Sequence, residues 1–104
     1  MAQFDVYRNS DAQTKDRVPY LLDIQNDLFD ELDTRLVVPL VANSRILQGL
    51  NFEIMIRNQS YVISTQELRA IPLSKLQEKV FSLEDKSKDI LAGIQFLLMG
   101  FEVK

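Results

Sequence analysis

Fifteen aspartates and glutamates and twelve lysines and arginines carry the charge of this chain, which has no histidine and no cysteine. Disulfides, thiolate metal sites and cysteine nucleophiles are thereby excluded. The side chain most used for proton transfer near neutral pH, and the commonest metal ligand, is also missing. Five carboxylates, Asp23, Asp27, Asp30, Glu31 and Asp33, crowd into and after one strand-like run. Acid–base catalysis by paired carboxylates needs a shared cleft and opposed environments, so this group reads as a solvated loop with its turn residues. It lacks the glycine and the spaced glutamate of a calcium loop. A serine or threonine nucleophile would need Lys, Asp or an arginine-assisted site in place of histidine. Arg35, Arg57 and Arg69 are then either phosphate contacts of an RNA-cleaving site or strand-edge charges that limit sheet-to-sheet pairing. No phosphate-binding or nucleophile-elbow glycine motif occurs among the three glycines. Binding is favoured over catalysis.

The elements that would carry these residues are mostly strands. Period-two alternation over Phe4 to Arg8 predicts a short strand, and the polar stretch Asn9 to Arg17 an exposed loop. Val18 to Gln25 resumes strand-like residues, and Asn26 to Glu31 forms a connection. That connection holds Leu28 and Phe29, which either tuck into a satellite of the core or form a contact surface. Thr34 to Val41 is the densest β-branched run and predicts a strand buried on both faces for part of its length, with Pro39 placing its end at an edge or bulge. Ala42 to Asn51 reads as a helical turn or a loop, with Gly49 as terminator. Phe52–Arg57 and Ser60–Ser64 around Asn58-Gln59 form a hairpin. Leu68 to Ile71 can add a short strand before Pro72. Residues 73–81 stay ambiguous, since Leu76, Val80 and Leu83 recur at roughly helical spacing.

The last quarter predicts one amphipathic helix over about 82–99, with Ser82 as cap and Glu84 and Asp85 in its first turn. Ile90, Leu91, Ile94, Leu97, Leu98 and Phe101 recur along it as a single apolar face. That face is either an intramolecular core contact or a partner surface, and its tip is too apolar for a free tail. Gly93, unfavourable inside a helix by about 1 kcal/mol, would permit close approach by another backbone. Short antiparallel strands plus one terminal helix predict a mainly β fold, a small barrel or curved sheet with the helix beside it.

At 104 residues, 46% apolar and 26% charged, the chain is one globular domain spanning 1–104. A net charge of −3 with no Lys/Arg block gives direct nucleic-acid binding no electrostatic support. No apolar run reaches the ~18 residues of a membrane span, and the N-terminus lacks a basic start and apolar core, so a soluble cytoplasmic protein is expected.

Gln3-Phe4-Asp5-Val6-Tyr7, Asp23-Ile24-Gln25-Asn26-Asp27-Leu28-Phe29-Asp30, Arg35-Leu36-Val37-Val38-Pro39-Leu40, the Ile71-Pro72-Leu73 step and the helix ending Leu98-Met99-Gly100 recur in one order over essentially the whole chain. In this the sequence resembles the CcdB toxin family, the toxin halves of plasmid and chromosomal toxin–antitoxin pairs. The resemblance implies an SH3-like β-barrel of the CcdB/MazF type with one C-terminal helix, forming a symmetric homodimer. It implies a protein that is not an enzyme and uses no cofactor or metal. Such a toxin binds the A subunit of DNA gyrase, traps its cleaved-DNA complex, and is neutralised by a CcdA-type antitoxin whose disordered tail wraps it.

Carried over by position, the gyrase-binding residues are Asn26, Leu28 and Phe29 in the first connection and Gln95, Leu98, Met99, Gly100 and Phe101 at the helix end, an assignment that implies one surface shared by the Leu28–Phe29 pair and the helix tip. Antitoxin contacts fall partly on the loops Arg8 to Arg17 and Asn43 to Asn51. The best-known poisoning members end in Trp-Gly-Ile, whereas this chain reads Met99-Gly100-Phe101 and continues with Glu102-Val103-Lys104. Met in place of Trp removes a large flat anchor. Two rival readings stand beside the gyrase poison: a MazF-like RNA-cleaving toxin, and a non-poisoning CcdB relative that only binds an antitoxin.

Overall fold

A computed structural model describes residues 2–100. Seven strands, β1 (Asp5–Asn9), β2 (Tyr20–Asp23), β3 (Thr34–Val41), β4 (Phe52–Ile56), β5 (Gln59–Ile63), β6 (Arg69–Pro72) and β7 (Leu76–Ser82), precede one helix, α1 (Ser87–Met99). All pairings are antiparallel, in the order β4-β5-β3-β2-β1-β7, with β6 on the first half of β3. The sheet curls into an open barrel, mainly β as expected. The ends of β4 and β7, which are the edges of this strand path, face each other across a 260 Å³ cleft lined by Met55, Ile56, Arg57, Tyr20, Val80 and Phe81.

The central strand β3 occupies the span its β-branched run predicts, and alternate residues serve two cores. Val38 and Leu40 join Val6, Leu22, Ile63 and the helix residue Ile90 on the inner face. Val37 and Val41 join Tyr7, Val18, Leu21 and Leu76 on the outer one. Pro39 does not end the strand: it is buried mid-strand, where the partner of β3 changes from β6 at Thr34–Val37 to β5 at Leu40–Val41. Its carbonyl accepts from Ser64 N–H at 2.9 Å, so the missing amide hydrogen faces that break and costs no ladder bond.

The β4–β5 hairpin turns on Arg57 and Asn58, both left-handed at φ 51° and 65°, the geometry of a two-residue hairpin turn. The turn thus lies one residue earlier than the sequence predicts. The two registers differ by two residues and bury the same faces, so alternation alone does not choose between them.

The helix starts later than expected because the sheet holds the chain before it. Residues 76–82, mostly within the stretch that the sequence leaves ambiguous, form β7 against β1, and Leu83 N–H still bonds Phe4 O at 2.8 Å, keeping the chain in sheet geometry. A 3-10 turn, Glu84–Lys86, then leads into α1, which begins at Ser87 rather than Ser82. Ser82 Oγ accepts from Glu84 N–H at 3.2 Å at the entry to this turn and does not cap α1. Ala42 to Asn51 is a loop, not a helical turn. It is braced by the buried Asn51, whose side chain accepts from Leu47 N–H at 2.8 Å and donates to Arg45 O at 3.2 Å.

Gly93 packs α1 onto this loop. A Cβ there would sit 2.4 Å from Leu50 O and 3.2 Å from Thr65 Oγ1, which is the close backbone approach the glycine suggested. No helix among the described residues is long and apolar enough to cross a membrane.

Candidate functional site

The first connection is built around a buried ion pair. Arg35, 1% exposed on β3, meets Asp23, fully buried at the end of β2. Its Nε and Nη2 donate to Asp23 Oδ2 at 3.1 and 2.5 Å, its Nη1 to Asp30 Oδ1 at 2.5 Å, and its Nη2 to Gln25 O at 3.3 Å. The reading of Arg35 as a strand-edge charge or phosphate contact, and of Asp23 as part of a solvated loop, is therefore corrected. Burial opposes the charge of Arg35, but Asp23 and Asp30 more than offset it and hold its pKa above the ordinary value. Arg57 sits exposed at the hairpin turn and Arg69 on β6, so the three arginines form no common phosphate site.

Above this pair, Asn26 Oδ1 accepts from Leu28 N–H at 2.9 Å and caps a 3-10 turn, Asp27–Phe29. Gln25 Nε2 donates to Phe29 O at 3.0 Å, and Gln3 N–H donates to Asp27 Oδ1 at 2.8 Å. With its polar groups engaged inward, the turn presents Leu28, 80% exposed, and Phe29, 51% exposed, to solvent, with Leu32 exposed beside them. The pair does not tuck into a satellite of the core.

Beside the ion pair, burial and the nearby carboxylates of Asp5 and Asp23 push the Tyr7 phenol up to about 12 from its ordinary 10.0. The folded chain then holds this proton more tightly than the unfolded one. Stability should be full below pH 10.0 and decline as pH rises towards about 12, by roughly 3 kcal/mol. Urea midpoints across that range should fall for the parent and stay flatter for Tyr7→Phe.

The second surface is the far end of α1. Ile90 and Gly93 are buried and Ile94 packs on the inner core, with Leu97 on the same bearing but partly exposed. Leu91 and Leu98 do not share that face. Each follows an inward-facing residue and lies about 100° round the helix from it, so both are exposed, Leu98 at 73%. Met99 is 52% exposed and Gln95 is exposed. Gly100 closes the helix in the left-handed conformation, φ 75°, its N–H bonding Phe96 O at 2.8 Å. Phe101 and the Glu102-Val103-Lys104 extension lie outside the described residues.

The two groups of expected gyrase-binding residues sit at different places. The first connection is tied through Phe4 to Asp23 and Leu83, at the approach to α1. The tip lies beyond Phe96, whose ring packs on Gly49, at the other end of a helix about 20 Å long. Among the described residues no hydrogen bond or ion pair joins them within one chain. Sequence reasoning missed Arg35 as a structural centre, although it shares the alternation of buried Val37 and is the first cation after five acids. It also passed over the exposed Leu32 and Met55.

Two further grooves border the loops named for antitoxin contact. One of 170 Å³ lies between Asn9, Asp11 and Thr14 and the basic Arg69 and Lys75. Another of 220 Å³ runs along Gly49–Phe52 beside Asp89 and Ala92 of α1.

Comparison with solved structures agrees with this architecture. The chain is similar to the Mycobacterium tuberculosis toxin MazF-mt6, with 15% identity, 95% of this chain and 99% of that one covered, and a TM-score of 0.76. It is also similar to an endoribonuclease in complex with its cognate antitoxin from Mycobacterial species, with 13% identity, coverage of 100% and 99%, and a TM-score of 0.76. At these identities the likeness speaks for the fold. The sequence pattern described as CcdB protein matches residues 3–100. With nearly the whole chain matched, and the open barrel and terminal helix in place, the chain belongs to the CcdB family, toxins of toxin–antitoxin pairs.

Proposed function

We propose that this chain acts as a homodimeric toxin that binds the A subunit of DNA gyrase, stabilises the complex in which gyrase has cleaved DNA, and is neutralised by a CcdA-type antitoxin. The observation that carries this reading is the solvent-facing tip of α1, where Leu98 and Met99 stand exposed on a helix anchored by Ile90 and Gly93. Poisoning of this kind needs no bond-making residue in the toxin. A ligand that binds the cleaved intermediate more tightly than the resealed state shifts the population towards cleavage by that difference in affinity.

A second copy of the chain is supported by the inner face of the sheet. The row Ile24, Val38, Leu40 continues on β3 as Leu36, two residues before Val38 and paired with Ala70 of β6, and both are exposed. Covering that extension and Leu97 would bury apolar surface that the single chain leaves in water. The groove beside the 9–14 segment, with Arg69 and Lys75 on its wall, offers an extended antitoxin tail a basic foothold, and the groove beside 49–52 offers a second site.

RNA cleavage has the shared fold of named endoribonucleases in its favour, but lacks a constellation here. Histidine and cysteine are absent, and Arg35 is committed to Asp23 and Asp30.

Leu98→Lys and Met99→Lys test the tip in a calorimetric titration against the purified A subunit. Each should weaken binding at least about tenfold, as for a residue at an interface centre, with the thermal midpoint unchanged within about 2 °C because both side chains are exposed. Parental affinity in both variants would remove the tip from the interface.

A further inference from the structure

We propose that Arg35 is the positioning residue of the first connection, a buried fork that holds the Leu28–Phe29 turn in the shape a partner meets. This rests on the reading that Leu28 and Phe29 face gyrase. An exposed apolar pair on a surface segment would by default move or fold inward. Here the turn is held from beneath. Arg35 reaches Asp23 and Gln25 O before the turn and Asp30 after it, and its Nη2 lies 3.9 Å from Asp27 Oδ1. One guanidinium thus clips together both sides of the turn. Gln25 extends the clip: its Oε1 accepts from Leu36 N–H at 3.0 Å on the strand that carries Arg35, and its Nε2 donates to Phe29 O.

The geometry requires arginine rather than charge alone. One edge of the guanidinium, Nε and Nη2, meets Asp23 while Nη1 points the other way to Asp30, and a lysine ammonium can neutralise Asp23 without spanning to Asp30. The consequence for binding is preorganisation: a turn already fixed in its bound shape loses less freedom on association.

The test compares Arg35→Lys, Asp30→Ala and the double variant Leu28→Ala/Phe29→Ala in the full chain, reading amide hydrogen exchange by NMR and affinity for the purified gyrase A subunit. Asp30 is half exposed, so its removal leaves a folded protein even where Arg35→Lys does not. Arg35→Lys and Asp30→Ala should speed exchange at the Leu28 and Phe29 amides, and weaken gyrase binding, by about tenfold, with the β2 and β3 amides unchanged. A merely structural loss would speed exchange throughout the sheet. Exchange at Leu28 and Phe29 that stays parental in Asp30→Ala, or speeds uniformly across the sheet, would overturn the positioning role. Parental binding by Leu28→Ala/Phe29→Ala would instead remove the turn from the gyrase interface, and the exchange data would then decide the clip on their own.

Discussion

Replacing Arg35 by methionine should destabilise the fold by about 3–5 kcal/mol, most of the margin of a small domain. The cause is the residue left behind rather than the bond lost. Asp23 is fully buried beneath the first connection, and without the guanidinium its carboxylate keeps only the Gln25 amide, which donates to Oδ1 at 3.0 Å. An uncompensated charge in that position is far costlier than a missing pair. The double variant Asp23→Leu/Arg35→Met should therefore recover to within about 2 kcal/mol of the parent, because two apolar side chains restore packing and leave nothing ionised. Urea unfolding followed by circular dichroism checks both, and a single variant within about 1 kcal/mol of the parent would contradict the buried-pair description.

Gly93→Ala should also destabilise, against the sign that helix propensity gives. In an exposed helix the change gains about 1 kcal/mol. Here the new methyl would stand 2.4 Å from the Leu50 carbonyl oxygen, a backbone atom that cannot rotate away. The loop carrying it is held through Asn51, which bonds Leu47, Arg45 and Gln66. Either α1 lifts or this loop shifts, and overpacking of this kind costs about 1–3 kcal/mol. Equilibrium unfolding should show a net loss of about 2 kcal/mol for Gly93→Ala and more for Gly93→Val. Because the same contact seats the helix, Gly93→Ala should also weaken partner binding at the distant tip without touching it. A stabilised Gly93→Ala variant would mean that α1 does not pack this closely on the loop.

What the residues made legible, and what they did not, divides along the range of the interactions involved. β3 was readable because the six consecutive apolar residues Leu36 to Val41, three of them valine, carry their own signal on both faces. The start of α1 was not, because Leu76, Val80 and Leu83 suit a helix locally and are claimed for the sheet by β1 and Phe4, some seventy residues away. Gly93 was legible as a close approach, but its partner Leu50 was not. Arg35 was hidden by its type: a charged residue in a strand is usually at the surface, and only the alternation with Val37 marked it as inward. The apolar pair Leu28–Phe29 stood out in the sequence as unusual for a connection, while its exposure and the polar bonds that hold it outward needed the fold.

The most direct experiment incubates the purified toxin with DNA gyrase, ATP and relaxed plasmid, and measures both supercoiling and cleaved DNA trapped on the enzyme. Inhibited supercoiling together with accumulated cleavage complex, reversed by adding the cognate antitoxin and lost in Leu98→Lys, is the predicted result. Full supercoiling with no trapped cleavage complex at micromolar protein would contradict gyrase poisoning and leave the chain a CcdB-family protein with a different target.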